Sequence, residues 1–250
     1  LVKQSTKIKL SRQSNNNQLL IYSVIAALGG LLFGFDTGVI SGAIPFIRTE
    51  FELNAYQEGF AVSNLMIACT IGALIAGPIS DWTGRKKVLI LCSLLFLISA
   101  IFSALPRTFM ELVIARFVGG LGVGMASVVS PMYITEISPA KIRGRLVALN
   151  QLAIVVGILF SYLSNWALLD TGINNWRFML ATECLPSLCF LFGLMFVPES
   201  PRWLMKNGDE SGALSILNIV SGKNNSLNEL KDIKESLLQK KTSIKELFHP

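Results

Sequence analysis

Three ionisable residues stand in stretches of the chain that hold no other charge: Asp36, Arg116 and Glu183. A charge in hydrocarbon is costly unless it is paired or wetted, so such residues mark an ion or substrate path or a buried pair. Two carboxylates and a guanidinium have a definite chemistry. The arginine stabilises one carboxylate as the ion and leaves the other easier to protonate. The same three groups also make a static salt bridge that holds helices together. Residue chemistry alone leaves these two readings even.

Uncharged residues add to the set. Phe33, Asp36, Thr37 and Ile40 fall on one helical face by their three- and four-residue spacing. An aromatic ring, a carboxylate and a hydroxyl together suit a small polar ligand with C–H faces. Gln151, Ile154 and Ile158 align in the same way, beside Asn150. An amide both donates and accepts, which fits a sugar hydroxyl, and it fits an interhelical hydrogen bond equally well. Cys69, Cys92, Cys184 and Cys189 all lie in apolar surroundings, where they act as small apolar residues. The single histidine is His249, so a histidine-based metal site or catalytic triad is not expected. The sequence has no phosphate loop, complete dinucleotide fingerprint or nucleophile elbow. No cofactor, metal or enzymatic activity is expected.

The elements that must position these residues are long and apolar. Of 250 residues, 52% are hydrophobic and only 15% charged, against about 25% charged in soluble domains. Six apolar runs, 19–47, 60–80, 88–105, 112–134, 146–169 and 178–197, contain only the three charges named above. Each is long enough to cross a bilayer, and lipid offers the backbone no partner, so each is expected to be a helix. This excludes a soluble enzyme and a nucleic-acid-binding protein. Lys and Arg set the orientation. The segment 1–18, the loops 81–87 and 135–145, and the segment 198–250 share eighteen of them; the opposite loops have Arg48, Arg107 and Arg177. Both ends of this chain are therefore expected in the cytoplasm of a multi-pass cell-membrane protein. The net charge of +6 is thus an orientation signal and calls for no nucleic acid.

Glycines recur every fourth residue at Gly30, Gly34, Gly38 and Gly42, and cluster at Gly119, Gly120, Gly122 and Gly124. Such stripes let a second helix approach closely. Both spans end near a proline, Pro45 and Pro131, which hints at a three-plus-three internal repeat. Helix rise places Asp36, Arg116 and Glu183 at about 24, 28 and 22 Å from the cytoplasmic ends of their spans, hence at similar depth. After residue 197 the pattern changes. Ala213, Ile216, Leu217 and Val220 share a face, and 226–229 and 243–246 read as capping boxes of short amphipathic helices packed beneath the membrane part.

Five stretches, in order, resemble the sugar porter branch of the major facilitator superfamily. They are Gly29-Gly-Leu-Leu-Phe-Gly-Phe-Asp36-Thr-Gly; Gly77-Pro-Ile-Ser-Asp81-Trp-Thr-Gly84-Arg85-Lys-Lys; and Arg116-Phe-Val-Gly-Gly-Leu-Gly-Val-Gly, which continues through Pro131-Met-Tyr133-Ile-Thr-Glu136-Ile-Ser-Pro139 to Arg143-Gly144. Asn150-Gln151 and Pro198-Glu199-Ser-Pro-Arg202-Trp203-Leu complete the set. The pattern is most similar to bacterial proton-coupled xylose and hexose transporters.

The resemblance implies an all-α membrane fold: six helices forming half of a major facilitator domain, followed by cytoplasmic helices. A second six-helix half is expected beyond residue 250. It implies a monosaccharide transporter coupled to protons by alternating access, with sugar, proton and bilayer as partners. Asp36 matches the family's coupling carboxylate, Arg116 its partner and Glu183 an acid that tunes the pair. Phe33, Gln151, Ile154 and Ile158 match the sugar side. Asp81, Gly84, Arg85, Glu136, Arg143, Glu199 and Arg202 match the charge network that closes the cytoplasmic gate. Some xylose-type members have a second glutamine where this chain has Ile158, which removes a hydroxyl partner and argues against xylose as sole substrate. A proton-independent uniporter, a sugar sensor and a non-transporting fragment are the alternatives.

Overall fold

The structure is a computed structural model that describes residues 2–239, with side chains described for 17–222 and 225–237. The capping box expected at 243–246, and His249, lie outside the described residues. All regular structure among the described residues is helical. The membrane part consists of α1 (Val2–Glu50), α2 (Ala55–Thr83), α3 (Arg85–Ala104), α4 (Phe109–Ile137), α5 (Arg143–Leu168), and a sixth span divided into α6 (Asn175–Ala181) and α7 (Cys184–Phe196). Six spans result, each long and apolar enough to cross a membrane. Helices α8 (Pro201–Lys206), α9 (Glu210–Val220) and α10 (Lys223–Gln239) follow.

Helix α1 begins at Val2, well before the apolar run at 19, and its membrane-spanning part is Asn17–Glu50. Pro45 and Pro131 lie inside the last two turns of α1 and α4. The sixth span is broken rather than continuous. Pro186 has no N–H to return to the Thr182 carbonyl four residues earlier, and its ring crowds that carbonyl. Leu185 N–H donates to Thr182 O instead, at 3.2 Å, and a new helix begins at Cys184 with Glu183 as its N-cap.

The glycines set the packing. A Cβ at Gly30, Gly34, Gly38 or Gly42 would collide with Asn150, the Ile154 carbonyl, Ser161 or Asn165, all on α5. On α4 the cluster divides. Gly120 and Gly124 press on α2 at Leu65 and Cys69, while Gly119 and Gly122 press on α3 at Ser99 and Leu95. Without a hydrophobic driving force between helices in lipid, such backbone contact is the main source of adhesion. Helix α4 is the most buried span and α5 among the least.

Two apolar cores result. One holds Phe35, Val39, Ile40, Leu112, Trp176, Met179 and Leu180. The other holds Leu32, Val123, Val129, Tyr133, Phe190 and Leu194, and extends to Ala213, Leu217, Val220 and Leu230 of α9 and α10. The tail helices thus continue the core of the membrane bundle. The box at 226–229 does not cap a helix: α10 starts at Lys223, three residues earlier. Glu229 is engaged by the Ser221 hydroxyl at 2.5 Å, and Ser226 donates to Asn218 Oδ1 at 2.6 Å.

Candidate functional site

Along α1, α4 and the sixth span, the boundary between the two cores is polar. Asp36 follows Phe35, Arg116 lies between Leu112 and Val123, and Glu183 lies between Leu180 and Phe190. All three are buried, at 1%, 2% and 2% exposure. Arg116 Nη1 donates to Asp36 Oδ1, and Glu183 interacts electrostatically with both. The helix break places Glu183 at the N-terminus of α7, where the helix dipole favours negative charge. The cluster is not saturated. Asp36 Oδ2, Arg116 Nε and Glu183 Oε1 are buried with no hydrogen-bond partner among the described residues. Buried polar groups are normally paired, and these three atoms are exceptions.

A cleft of about 500 Å³ opens between α1, α4 and α5, lined by Gly30, Phe33, Ser127, Pro131, Gly144, Val147, Ala148, Asn150, Gln151 and Ile154. That volume lies within the roughly 300–1,000 Å³ of small-molecule sites. Phe33 of α1 and Gln151 and Ile154 of α5 line it together. Ile158 does not line the cleft; its carbonyl lies level with Gly38, one turn beyond. Thr37 turns its hydroxyl back to the Phe33 carbonyl, at 2.9 Å. Ser127 was not singled out from the sequence, because an alcohol amid glycines and valines gives no periodic signal.

A second cluster joins the ends of α2, α3, α4 and α8. Arg85 grips Glu136 with two bonds, Nε to Oε2 and Nη2 to Oε1, both 2.9 Å. It also donates to the Ser80 carbonyl at 3.0 Å and pairs with Asp81 at 3.0 Å. Lys206 pairs with the other Asp81 oxygen at 2.9 Å. The Ser200 hydroxyl donates to Glu136, and Tyr133 OH to the Pro198 carbonyl at 2.8 Å. Gly84 has φ +105°, a region few L side chains adopt, and a Cβ there would strike the Glu199 carboxylate. Of the seven expected network residues, Asp81, Gly84, Arg85, Glu136 and Glu199 come together. Arg143 instead donates to the Ser138 carbonyl, at 3.3 and 3.4 Å. Arg202 has no ion pair among the described residues. Two carboxylates of the network are engaged elsewhere, Glu136 by Arg85 and Glu199 by backbone N–H groups. Lys206, Ser200 and Trp203, whose indole N–H donates to the Asp81 carbonyl at 3.1 Å, are members that the expected network did not include.

A six-span bundle with a buried charge cluster and a charged clasp at one end has the architecture of half a major facilitator transporter. The chain belongs to the Sugar (and other) transporter family, whose pattern matches residues 22–250, and that family comprises transporters rather than enzymes. It is 43% identical over 250 residues to an arabinose-proton symporter of Bacillus subtilis, which covers 97% of this chain and 54% of that protein. It is 38% identical over 260 residues to a D-xylose-proton symporter of Escherichia coli, covering 91% of this chain and 53% of that one. The solved structure of the proton:xylose symporter XylE bound to 6-bromo-6-deoxy-D-glucose superposes with a TM-score of 0.86 at 38% identity, covering 90% of this chain and 54% of that one. The chain spans about half the length of the curated relatives it matches.

Proposed function

We propose that the chain forms the N-terminal six-helix half of a monosaccharide–proton symporter that works by alternating access. The basic segments lie in the cytoplasm, as the excess of Lys and Arg on that side favours. A proton from outside neutralises Asp36 and loosens its hold on Arg116, with Glu183 tuning the exchange. The sugar rests near the midplane against Phe33, Gln151 and Ile154, with Ile158 one turn beyond, and a second six-helix half completes the site. The two halves then rock, and the clasp of Asp81, Gly84, Arg85, Glu136 and Glu199 opens; Arg143 and Arg202 flank it. The pentoses of the relatives' names and the glucose derivative bound in the solved structure give the substrate class.

One observation carries this reading: the buried Asp36–Arg116 pair, with Glu183 beside it, keeps unpartnered oxygen and nitrogen atoms. A bridge that served packing alone gains nothing from leaving buried polar atoms unpaired. The test is sugar uptake by cells expressing the protein, with and without an inward pH gradient, for wild type and Asp36→Asn. Wild type accumulates arabinose, xylose or glucose against its gradient, and the variant only equilibrates it. Equal gradient-driven accumulation by both removes the coupling role.

A further inference from the structure

One polar side chain in the cleft has no role so far. Asn150 is only 8% exposed and lines the cleft beside Gln151. Its Oδ1 is buried and has no hydrogen-bond partner among the described residues. That atom lies over Gly30, where a Cβ would come within 2.7 Å of it. Helix α1 thus approaches so closely that the amide is wedged in one position. The amide nitrogen has no partner among the described residues either. Unlike the oxygen, the nitrogen is not among the buried unpartnered atoms. The oxygen therefore takes the wall and the NH2 group takes the cleft.

The neighbouring groups differ in kind. Gln151 is exposed, and its longer side chain turns freely to donate or accept. Ser127, on α4, donates its hydroxyl to the Gly124 carbonyl at 2.8 Å, so it offers the cleft only lone pairs. Asn150 supplies the one donor there whose direction is fixed by packing. A site that discriminates between hydroxylated ligands needs such a donor, because the analogue without the hydroxyl leaves it unpaired.

We infer that Asn150 is a specificity-determining residue of the sugar cleft, its side-chain NH2 donating to one hydroxyl oxygen of the bound monosaccharide. The inference rests on the proposed reading of the cleft as the sugar site. It is tested by equilibrium binding of D-glucose and its monodeoxy analogues to the membrane-embedded protein, as wild type, Asn150→Ala and Asn150→Leu. The leucine variant keeps the side-chain shape against Gly30 should the alanine variant fail to fold. The expected result is a roughly tenfold or greater loss of glucose affinity in the variants, with one deoxy analogue bound equally by wild type and variants. An even loss across glucose and every analogue, or no loss, overturns the assignment and leaves Asn150 as a packing residue. Where the wild type binds arabinose or xylose and not glucose, the same comparison runs on that pentose and its deoxy analogues; if it binds none of the three sugars, the sugar-cleft reading itself falls, and the assignment with it.

Discussion

Glu199 accepts the backbone N–H of Arg85, Oε1 to N, at 2.9 Å. The same carboxylate takes the N–H of Lys86 at 3.1 Å and of Ser200 at 2.8 Å. Helix α3 begins after Gly84, which has no side chain to cap it. A carboxylate more than a hundred residues away in the chain caps it instead, satisfying N–H groups that a helix start leaves free and meeting the positive end of the helix dipole. The clasp is thus more than a set of ion pairs: opening it uncaps a membrane helix.

Replacing that cap has a graded outcome. Glu199→Ala loses the acceptor and costs about 1–2 kcal/mol; Glu199→Gln keeps an acceptor oxygen and loses the charge, and costs less. Hydrogen exchange at residues 85–88 should quicken in the order wild type, Gln, Ala. Equal protection in all three would show that α3 does not depend on Glu199.

Gly34 tests the α1–α5 contact. Its Cβ would overlap the Ile154 carbonyl, and backbone cannot move aside as a flexible side chain can. Gly34→Ala should cost about 1–3 kcal/mol. Gly59→Ala, at a helical glycine with nothing within 4 Å, should be neutral or stabilising by about 0.5–1 kcal/mol. Thermal unfolding of both variants in detergent decides; indistinguishable midpoints would mean the two helices separate at little cost.

The glycine stripe was legible because a four-residue repeat can mean only one helical face, and its partner proved to be α5 throughout. The buried charges were legible because a lone Asp36 or Arg116 in an apolar run has few explanations. Contacts of long charged side chains at the helix ends were not. Arg143 and Arg202 carry the right charge, but whether they find a carboxylate depends on Arg85 having claimed both oxygens of Glu136. The break in the sixth span had a visible signal, Pro186, hidden by reading 178–197 for hydropathy alone. The cap at 226–229 failed because a box pattern does not say whether the helix has already begun.

Arg85 and Arg202 should part company on conservative substitution. Arg85→Lys keeps the charge but forfeits the two-pronged grip on Glu136 and the bond to the Ser80 carbonyl, and lysine does not reproduce a planar fork. A loss of about 2–3 kcal/mol follows from two charge-assisted bonds. Arg202→Lys, with no ion pair among the described residues to lose, should change stability by less than about 0.5 kcal/mol. Unfolding midpoints measured side by side check this; equal shifts would place Arg202 in the clasp after all.

The buried pair gives the sharpest test, through a double-mutant cycle on Asp36 and Arg116. Arg116→Leu alone strands the Asp36 carboxylate at 1% exposure and should cost about 3–5 kcal/mol. Asp36→Asn alone strands the guanidinium and should be costly for the same reason. Combined, the two changes remove both charges, so the double variant should be clearly more stable than the sum of the single losses predicts. Glu183 provides the contrast. Its Oε1 has no partner among the described residues, so Glu183→Gln replaces the ionisable carboxyl by a neutral isostere without breaking a hydrogen bond at that oxygen and should leave the unfolding midpoint unchanged or raise it. Stability measured by thermal unfolding then separates the residues. Strong coupling between Asp36 and Arg116, with no stability loss at Glu183, means the third carboxylate is kept for something other than holding the helices together. A loss at Glu183 as large as at Arg116 would make all three a structural bridge and remove the physical ground for proton exchange at this site.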